Sequence, residues 1–293
     1  MHLEQYMQER RRLVEDALDR LLPSSTEPPE TLHEAIRYSV LSPGKRLRPI
    51  LALAATEAVG GDIEPVLPAA CALECVHAFS LIHDDLPCMD NDDYRRGRPT
   101  NHVVYGEAMA LLAGDALLAL AFELLASCTA CPPERVAQAL RRLAEASGTK
   151  GMVGGQVADM EYQGRDVDAA TLRYIHSRKT GALLTASVCV GALLAGGNEM
   201  QIAALDQYGR HVGLAFQIAD DILDVVGDQE KLGKPVGSDE RHTKATYPRV
   251  FGVSQSRVMA RGEAEEAVRA LAAFGPEADP LREMARFVVE RDK

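Results

Sequence analysis

The 293-residue sequence predicts an all-α fold, and three observations carry that prediction. Trp is absent and aromatic residues make up 5%, so the residues that strands prefer are scarce while Ala and Leu abound. Apolar residues recur at helical spacing through long segments separated by Pro and Gly breaks. No series of short alternating segments suggests a sheet, and there is no internal repeat or low-complexity tract. The expectation is one all-α domain over residues 1–293, a single bundle whose functional side chains lie on facing helices.

In chain order, residues 3–22 carry the first helical pattern, which stops at Pro23 before a short linker over 24–29. A second helix is expected over 31–41, broken by Ser42-Pro43-Gly44. Lys45-Arg46-Leu47-Arg48-Pro49 then opens a helix that runs to Gly60-Gly61, placing basic residues near a helix N-terminus, where the backbone dipole favours anions. A long helix over 65–85 ends in two acids. Further helices are expected over 107–127, over 132–146 with prolines at its start, and over 148–162 despite its glycines. After a polar turn through Asp168, residues 169–177 and 180–195 read as two consecutive helices or one broken helix, ended by Gly196-Gly197. A long periodic helix over 200–226, a charged loop over 227–244 and two shorter helices complete the chain.

Hydrophobic content of 46% and charged content of 26% are those of a soluble globular protein. The formal charge of −11 argues against nucleic acid as a bulk electrostatic partner, so any anionic substrate must be held by local basic residues. Six cysteines lie in mostly apolar stretches with no secretory signal before them, which implies reduced thiols and a cytoplasmic location. Cys128 and Cys131 form a C-x-x-C without a second pair to complete a zinc site. The apolar run 181–197 is too short to cross a bilayer comfortably and reads as a buried helix, so no transmembrane segment is expected.

The chemistry concentrates in Leu81 to Gly97, where a helix-favouring run ends in Asp84 and Asp85, Asp90 follows, and Arg95 and Arg96 come after. Carboxylates this close repel one another unless a cation or proton holds them. Aspartate oxygens suit Mg²⁺, which keeps part of its coordination shell for water and phosphate oxygens, and the arginines suit those phosphates. A second cluster, Gln217-Ile218-Ala219-Asp220-Asp221-Ile222-Leu223-Asp224, puts Gln217, Asp220 and Asp224 on one helix face at spacings of three and four. One such cluster alone is more often a solvated face; two on separate helices point to a shared site. His77, Ser80 and Asp84 share a face, which makes His77 an anion donor, whereas His83 lacks such support and reads as structural. Lys45, Arg46 and Arg48, like Lys179, Lys234 and Lys244, are individually ordinary solvated cations. Together with Arg95 and Arg96 they suit a site for two anionic substrates.

These motifs carry a resemblance. Asp84-Asp85-x-x-x-x-Asp90 with Arg95-Arg96-Gly97, Gly44-Lys45-Arg46-x-Arg48-Pro49 upstream, and Phe216-Gln217-x-x-Asp220-Asp221-x-x-Asp224 downstream resemble the trans-isoprenyl diphosphate synthases, with bacterial farnesyl diphosphate synthases the most similar group. The match continues through Gly154-Gly155-Gln156, Lys179-Thr180, Leu232-Gly233-Lys234 and Lys244-Ala245-Thr246-Tyr247-Pro248 and covers most of the chain in order. Pro43 stands where the family often has Gly.

The resemblance implies a helical bundle with a deep central cavity, a homodimer and several Mg²⁺ ions. It implies metal ligation by Asp84, Asp85, Asp90 and Asp220, with Arg95, Lys179, Thr180, Gln217 and Lys234 at the allylic diphosphate. Isopentenyl diphosphate is assigned to Lys45, Arg48, His77 and Arg96, and Asp221 and Asp224 complete the second motif. The implied reaction is ionisation of the allylic diphosphate, condensation with isopentenyl diphosphate and elimination of a proton. Phe79, five positions before Asp84, and the extra Pro87-Cys88 go with a C15 product in this family, and five residues span about 7.5 Å along a helix. Helical spacing puts Phe79 off the Asp84 face, and ordinary core packing is its alternative role. The rival functions are a C20 geranylgeranyl diphosphate synthase and a non-catalytic prenyl-diphosphate-binding subunit.

Overall fold

The computed structural model describes residues 2–226 and 244–290. Helix α1 (Leu3–Leu21) stops before Pro23, and α2 (Glu30–Val40) starts where Pro29 ends the linker. Helix α3 (Leu47–Ala58) follows Arg46, whose left-handed backbone (φ 51°) turns the chain into the helix. A short 3-10 turn, Glu64–Val66, leads into α4 (Leu67–Asp84), with Pro68 in the first turn where its missing N–H costs nothing.

Beyond α4 the chain makes the one strand pair among the described residues. β1 (Tyr94–Arg95) and β2 (Arg98–Pro99) pair antiparallel, with Tyr94 opposite Pro99. Arg96 (φ 53°) and Gly97 (φ 74°) form the two-residue turn between them, whose positive φ angles match the right-handed twist of such a hairpin. The remaining helices are α5 (Asn101–Tyr105), α6 (Glu107–Ala126), α7 (Pro133–Ser147), α8 (Met152–Glu161), α9 (Ala169–His176), α10 (Ala182–Ala195), α11 (Glu199–Val226), α12 (Tyr247–Phe251), α13 (Val253–Ala270) and α14 (Asp279–Glu290). Among the described residues three helices, rather than the two expected, follow the charged loop, because Gly252 (φ 79°) separates α12 from α13.

The core lies where α4 packs on α6, α10 on α3, α7 and α11, and α11 on α13. Helix α10 is central, with Leu183, Leu184, Val188 and Val190 fully enclosed. Between α9 and α10 the chain winds as a π turn, Ser177–Gly181, without breaking the helix. Such wide turns spread the side chains and concentrate at functional positions. Two glycines let neighbours approach this turn: a Cβ on Gly155 of α8 would lie 2.1 Å from the Lys179 backbone nitrogen, and one on Gly213 of α11 would lie 2.7 Å from the Gly181 Cα.

Continuity through the π turn corrects the length expected from residues 181–197 alone. The stretches Glu64–Asp84, Glu107–Ala126 and Ala169–Ala195 are each long and apolar enough to cross a membrane. Other helices bury 72% of the first and 67% of the third, but only 39% of α6, which leaves Leu111 and Leu112 at the surface. All six cysteines are free, and the Cys128 and Cys131 thiols donate to the backbone carbonyls of Leu124 and Pro65.

Gly155→Ala is expected to force α8 from the π turn, because the added carbon meets backbone rather than a yielding side chain. Thermal or denaturant unfolding should show a loss of about 1–3 kcal/mol, the usual cost of overpacking.

Candidate active site

The first acidic cluster forms where α4 ends. The chain turns back through Leu86 to Met89, and the Asp90 amide donates to the Asp84 carbonyl at 2.8 Å, which returns Asp90 to the vicinity of Asp84. Burial pushes the Asp84 carboxyl above the ordinary carboxylate range; Lys179, Arg95 and Lys244 oppose that shift and Asp90 adds to it. Arg95 grips the buried Asp85 through both its Nε (2.9 Å and 3.0 Å) and Nη2, and Lys244 Nζ lies 2.7 Å from Asp90 Oδ2. Cations thus meet these acids from the hairpin, from the π turn and from the far side of the charged loop.

The π turn supplies the link to the second cluster. Lys179 Nζ donates to Asp159 Oδ2 of α8 at 2.6 Å. Burial alone would favour its neutral form, but Asp159, Asp84 and Asp90 together outweigh that cost and hold the ammonium charged. The next residue, Thr180, donates through Oγ1 to Gln217 Oε1 at 2.6 Å, and Gln217 Nε2 donates to Asp221 Oδ1 at 2.8 Å. Adjacent residues of one turn therefore reach toward Asp84 and Asp90 on one side and toward Gln217, next to Asp220, on the other.

The basic side is built by the loop before α3. Arg46 turns inward, donating to Glu74 Oε1 at 2.8 Å and to the Ser42 carbonyl at 2.7 Å. That buried ion pair ties the loop to α4, one turn before His77 on the helix that carries Asp84. Arg48 is left with a buried Nε that has no hydrogen-bond partner. Its pKa is pushed down to about 10 by burial and by Arg96, while Glu74 and Asp220 resist. A buried cationic donor without an acceptor fits an anionic ligand. Burial, then the charges of Arg48, Arg96, Arg95 and Arg46, push the His77 imidazole well below its usual pKa, leaving it neutral with one N–H to donate. Arg96 Nη1 donates to the Pro43 carbonyl at 2.9 Å, and Lys45 is exposed.

The structure thus brings together Asp84, Asp85, Asp90, Arg95, Lys179, Thr180 and Gln217, and joins Asp220, Arg48, Arg96 and His77 to them electrostatically. Lys234 lies outside the described residues. Phe79 is 7% exposed and meets the His83 ring edge-on at 4.9 Å, where α4 packs on α6. His83 is anchored there by Leu111 O at 2.9 Å. Sequence reasoning missed Asp159 and the Glu74 partner of Arg46. An acid among the apolar residues of α8, and another within the apolar α4, were the available signals.

Among the described residues no three His, Cys, Asp or Glu side chains converge as a ready protein cage for a metal. The donor set still fits Mg²⁺, which takes one or two carboxylates and fills its shell with water and phosphate oxygens. Two carboxylate clusters reached by adjacent residues of one π turn, Lys179 toward the first and Thr180 toward Gln217 of the second, and faced by arginines define the class: an all-α protein whose site suits a polyanion carried with cations. The polyprenyl synthetase family matches residues 29–274, and the chain belongs to that family of trans-prenyltransferases. It is 50% identical over 292 residues to a dimethylallyltranstransferase of Fischerella ambigua, covering 99% of this chain and 84% of that one. It is 46% identical to a farnesyl diphosphate synthase of Geobacillus stearothermophilus over 100% and 99% of the two chains. The solved geranylgeranyl pyrophosphate synthetase of Pyrococcus horikoshii superposes with a TM-score of 0.89 at 36% identity, covering 99% and 98%.

Asp84→Asn is expected to stabilise the fold at neutral pH. The raised pKa means the folded chain binds that proton more tightly than the unfolded chain, so ionised Asp84 weakens the fold as pH rises above the ordinary carboxylate range. Thermal melts without added metal should give the variant a midpoint above the parent's at pH 7, and the gap should close on acidification.

Proposed function

We propose that this prenyltransferase condenses isopentenyl diphosphate with dimethylallyl and then geranyl diphosphate, releasing pyrophosphate and forming farnesyl diphosphate (C15). One observation carries the reading: Lys179 and Thr180, adjacent on the π turn, join the Asp84–Asp90 cluster to Gln217 beside Asp220. A diphosphate seated against Lys179 would lie within reach of both acidic clusters.

In this reading Asp84, Asp85, Asp90 and Asp220 would hold Mg²⁺, which would supply positive charge against the diphosphate and so ease departure of the leaving group. Arg95, Lys179 and Lys234 grip the allylic diphosphate. The allylic C–O bond breaks, and charge on the departing oxygens is met by these cations. The oxygens of Thr180 and Gln217, already aligned by their mutual hydrogen bond, present their negative ends to the allylic cation. Lys45, Arg48, Arg96 and neutral His77 hold isopentenyl diphosphate so that its double bond attacks that carbon. A C–C bond forms, a C–H bond breaks, and the proton passes to the released pyrophosphate. Closure of the site excludes water, which would otherwise trap the cation.

The C15 assignment rests on Phe79, buried five positions before Asp84, and on the extra Pro87-Cys88. A C20 product is the second reading, supported by the fold shared with a solved geranylgeranyl pyrophosphate synthetase. The exposed Leu111 and Leu112 of α6, with Val103 and Val104 of α5, support a homodimer buried through this face. Free cysteines suit the reducing cytoplasm.

Chromatography of products from labelled isopentenyl diphosphate, dimethylallyl diphosphate and Mg²⁺ should show C15 as the end product, and Phe79→Ala should shift output to longer chains. A C20 end product from the parent would favour the second reading. Unchanged C15 output from Phe79→Ala would remove Phe79 as the stop.

A further inference from the structure

The second aspartate of the downstream motif, Asp221, is anchored inside the bundle. Asp221 is 1% exposed, and three donors from different elements fill its carboxylate. Gln217 Nε2 donates to Oδ1 at 2.8 Å, while Oδ2 receives the Tyr247 backbone N–H at 2.9 Å and faces His176 Nε2 at 3.1 Å. A carboxylate only accepts, so the His176 nitrogen facing it is the protonated one. His176 ends α9 immediately before the π turn, and its ring stacks on Tyr247 at 5.6 Å. Tyr247 begins α12, three residues after the Lys244 that reaches Asp90.

We propose that Asp221 is a positioning residue for the condensation and not a further metal ligand. Unlike the Asp85 oxygens, which the single Arg95 side chain grips, its oxygens are held from three helices, so a metal could reach them only by breaking contacts that hold α9, α11 and α12 together. Through Gln217 it sets which end of that amide faces Thr180: the Nε2 end is held by Asp221, so the carbonyl end accepts from Thr180 and shows its oxygen to the site. Through His176 and Tyr247 it sets how far the π turn and the Lys244 segment stand from α11. The inference rests on the prenyltransferase reading only for its kinetic part.

The test compares Asp221→Asn with Asp220→Asn in the full chain. Asp221→Asn should lower kcat by about 10–100-fold, the usual cost of losing a carboxylate that orients a working group. Its Mg²⁺ half-saturation, and its Mg²⁺-dependent affinity for inorganic pyrophosphate measured by calorimetry, should stay within about twofold of the parent, whereas Asp220→Asn loses that affinity. Equal loss of pyrophosphate binding in both variants, or an Asp221→Asn kcat within about twofold of the parent, overturns the proposal. The paired exchange Gln217→Glu with Asp221→Asn guards against a simple folding failure. In that pair the new amide donates to the new carboxylate, its carbonyl oxygen still accepts from Tyr247 and His176, and total charge is kept. The pair should be at least about threefold more active than Asp221→Asn alone, and no recovery contradicts positioning. A parent that forms no prenyl product would refute the proposed function, while the pyrophosphate comparison would still decide the role of Asp221.

Discussion

Carboxylates gathered in partly buried space repel one another, and much of this fold answers that constraint. Burial raises the proton affinity of Asp84, and Lys179, Arg95 and Lys244 each reduce the penalty from a different part of the chain. Arg95 arrives on the first strand of a hairpin, Lys179 on a π turn and Lys244 from beyond the charged loop. The bundle brings these cations to the acids although hydrophobic burial alone would have no use for either. Such a site is poised for exchange, since a divalent ion with its phosphate oxygens can take over the neutralising role that side-chain cations fill in the protein alone.

The π turn is the mechanical centre of that arrangement. Its extra width puts successive residues on opposite duties, Lys179 on the first acidic cluster and Thr180 on Gln217. The turn is hemmed in from two sides, since α8 and α11 approach it across glycines that leave no room for a side chain. The basic loop is held just as firmly: Arg46 accepts a left-handed backbone and a buried partner, and Arg48 is thereby set with an unsatisfied N–H. Strain and unsatisfied donors are costly in a folded chain, and both concentrate here, where an anion would relieve the latter.

Most helices were legible in the sequence because apolar periodicity and Pro or Gly punctuation agree: α1, α2, α6 and α7 begin and end within a residue or two of expectation. The two aspartate-rich motifs and the basic run were equally legible, being local patterns. The π turn was visible only as an interruption, since no local signal separates it from a break between helices. The roles of Asp159, Glu74 and Asp221 were not legible for a different reason: an acid in an apolar helix marks a buried partner without naming it, and each partner lies 20 to 45 positions away. Their value comes from packing, which neither spacing nor composition encodes directly. Phe79 shows the converse, since helical spacing put it off the Asp84 face, and the structure buries it against the His83 ring.

Both acidic clusters, in the reading proposed above, serve one diphosphate. A crystal structure with Mg²⁺ and a non-hydrolysable allylic diphosphate analogue tests it most directly. The account predicts metal ions about 2.0–2.1 Å from oxygens of Asp84 and of Asp220, all bridged by that single diphosphate, with Lys179 against it. A diphosphate bound away from the π turn, or metals that touch only one of the two clusters, would contradict it.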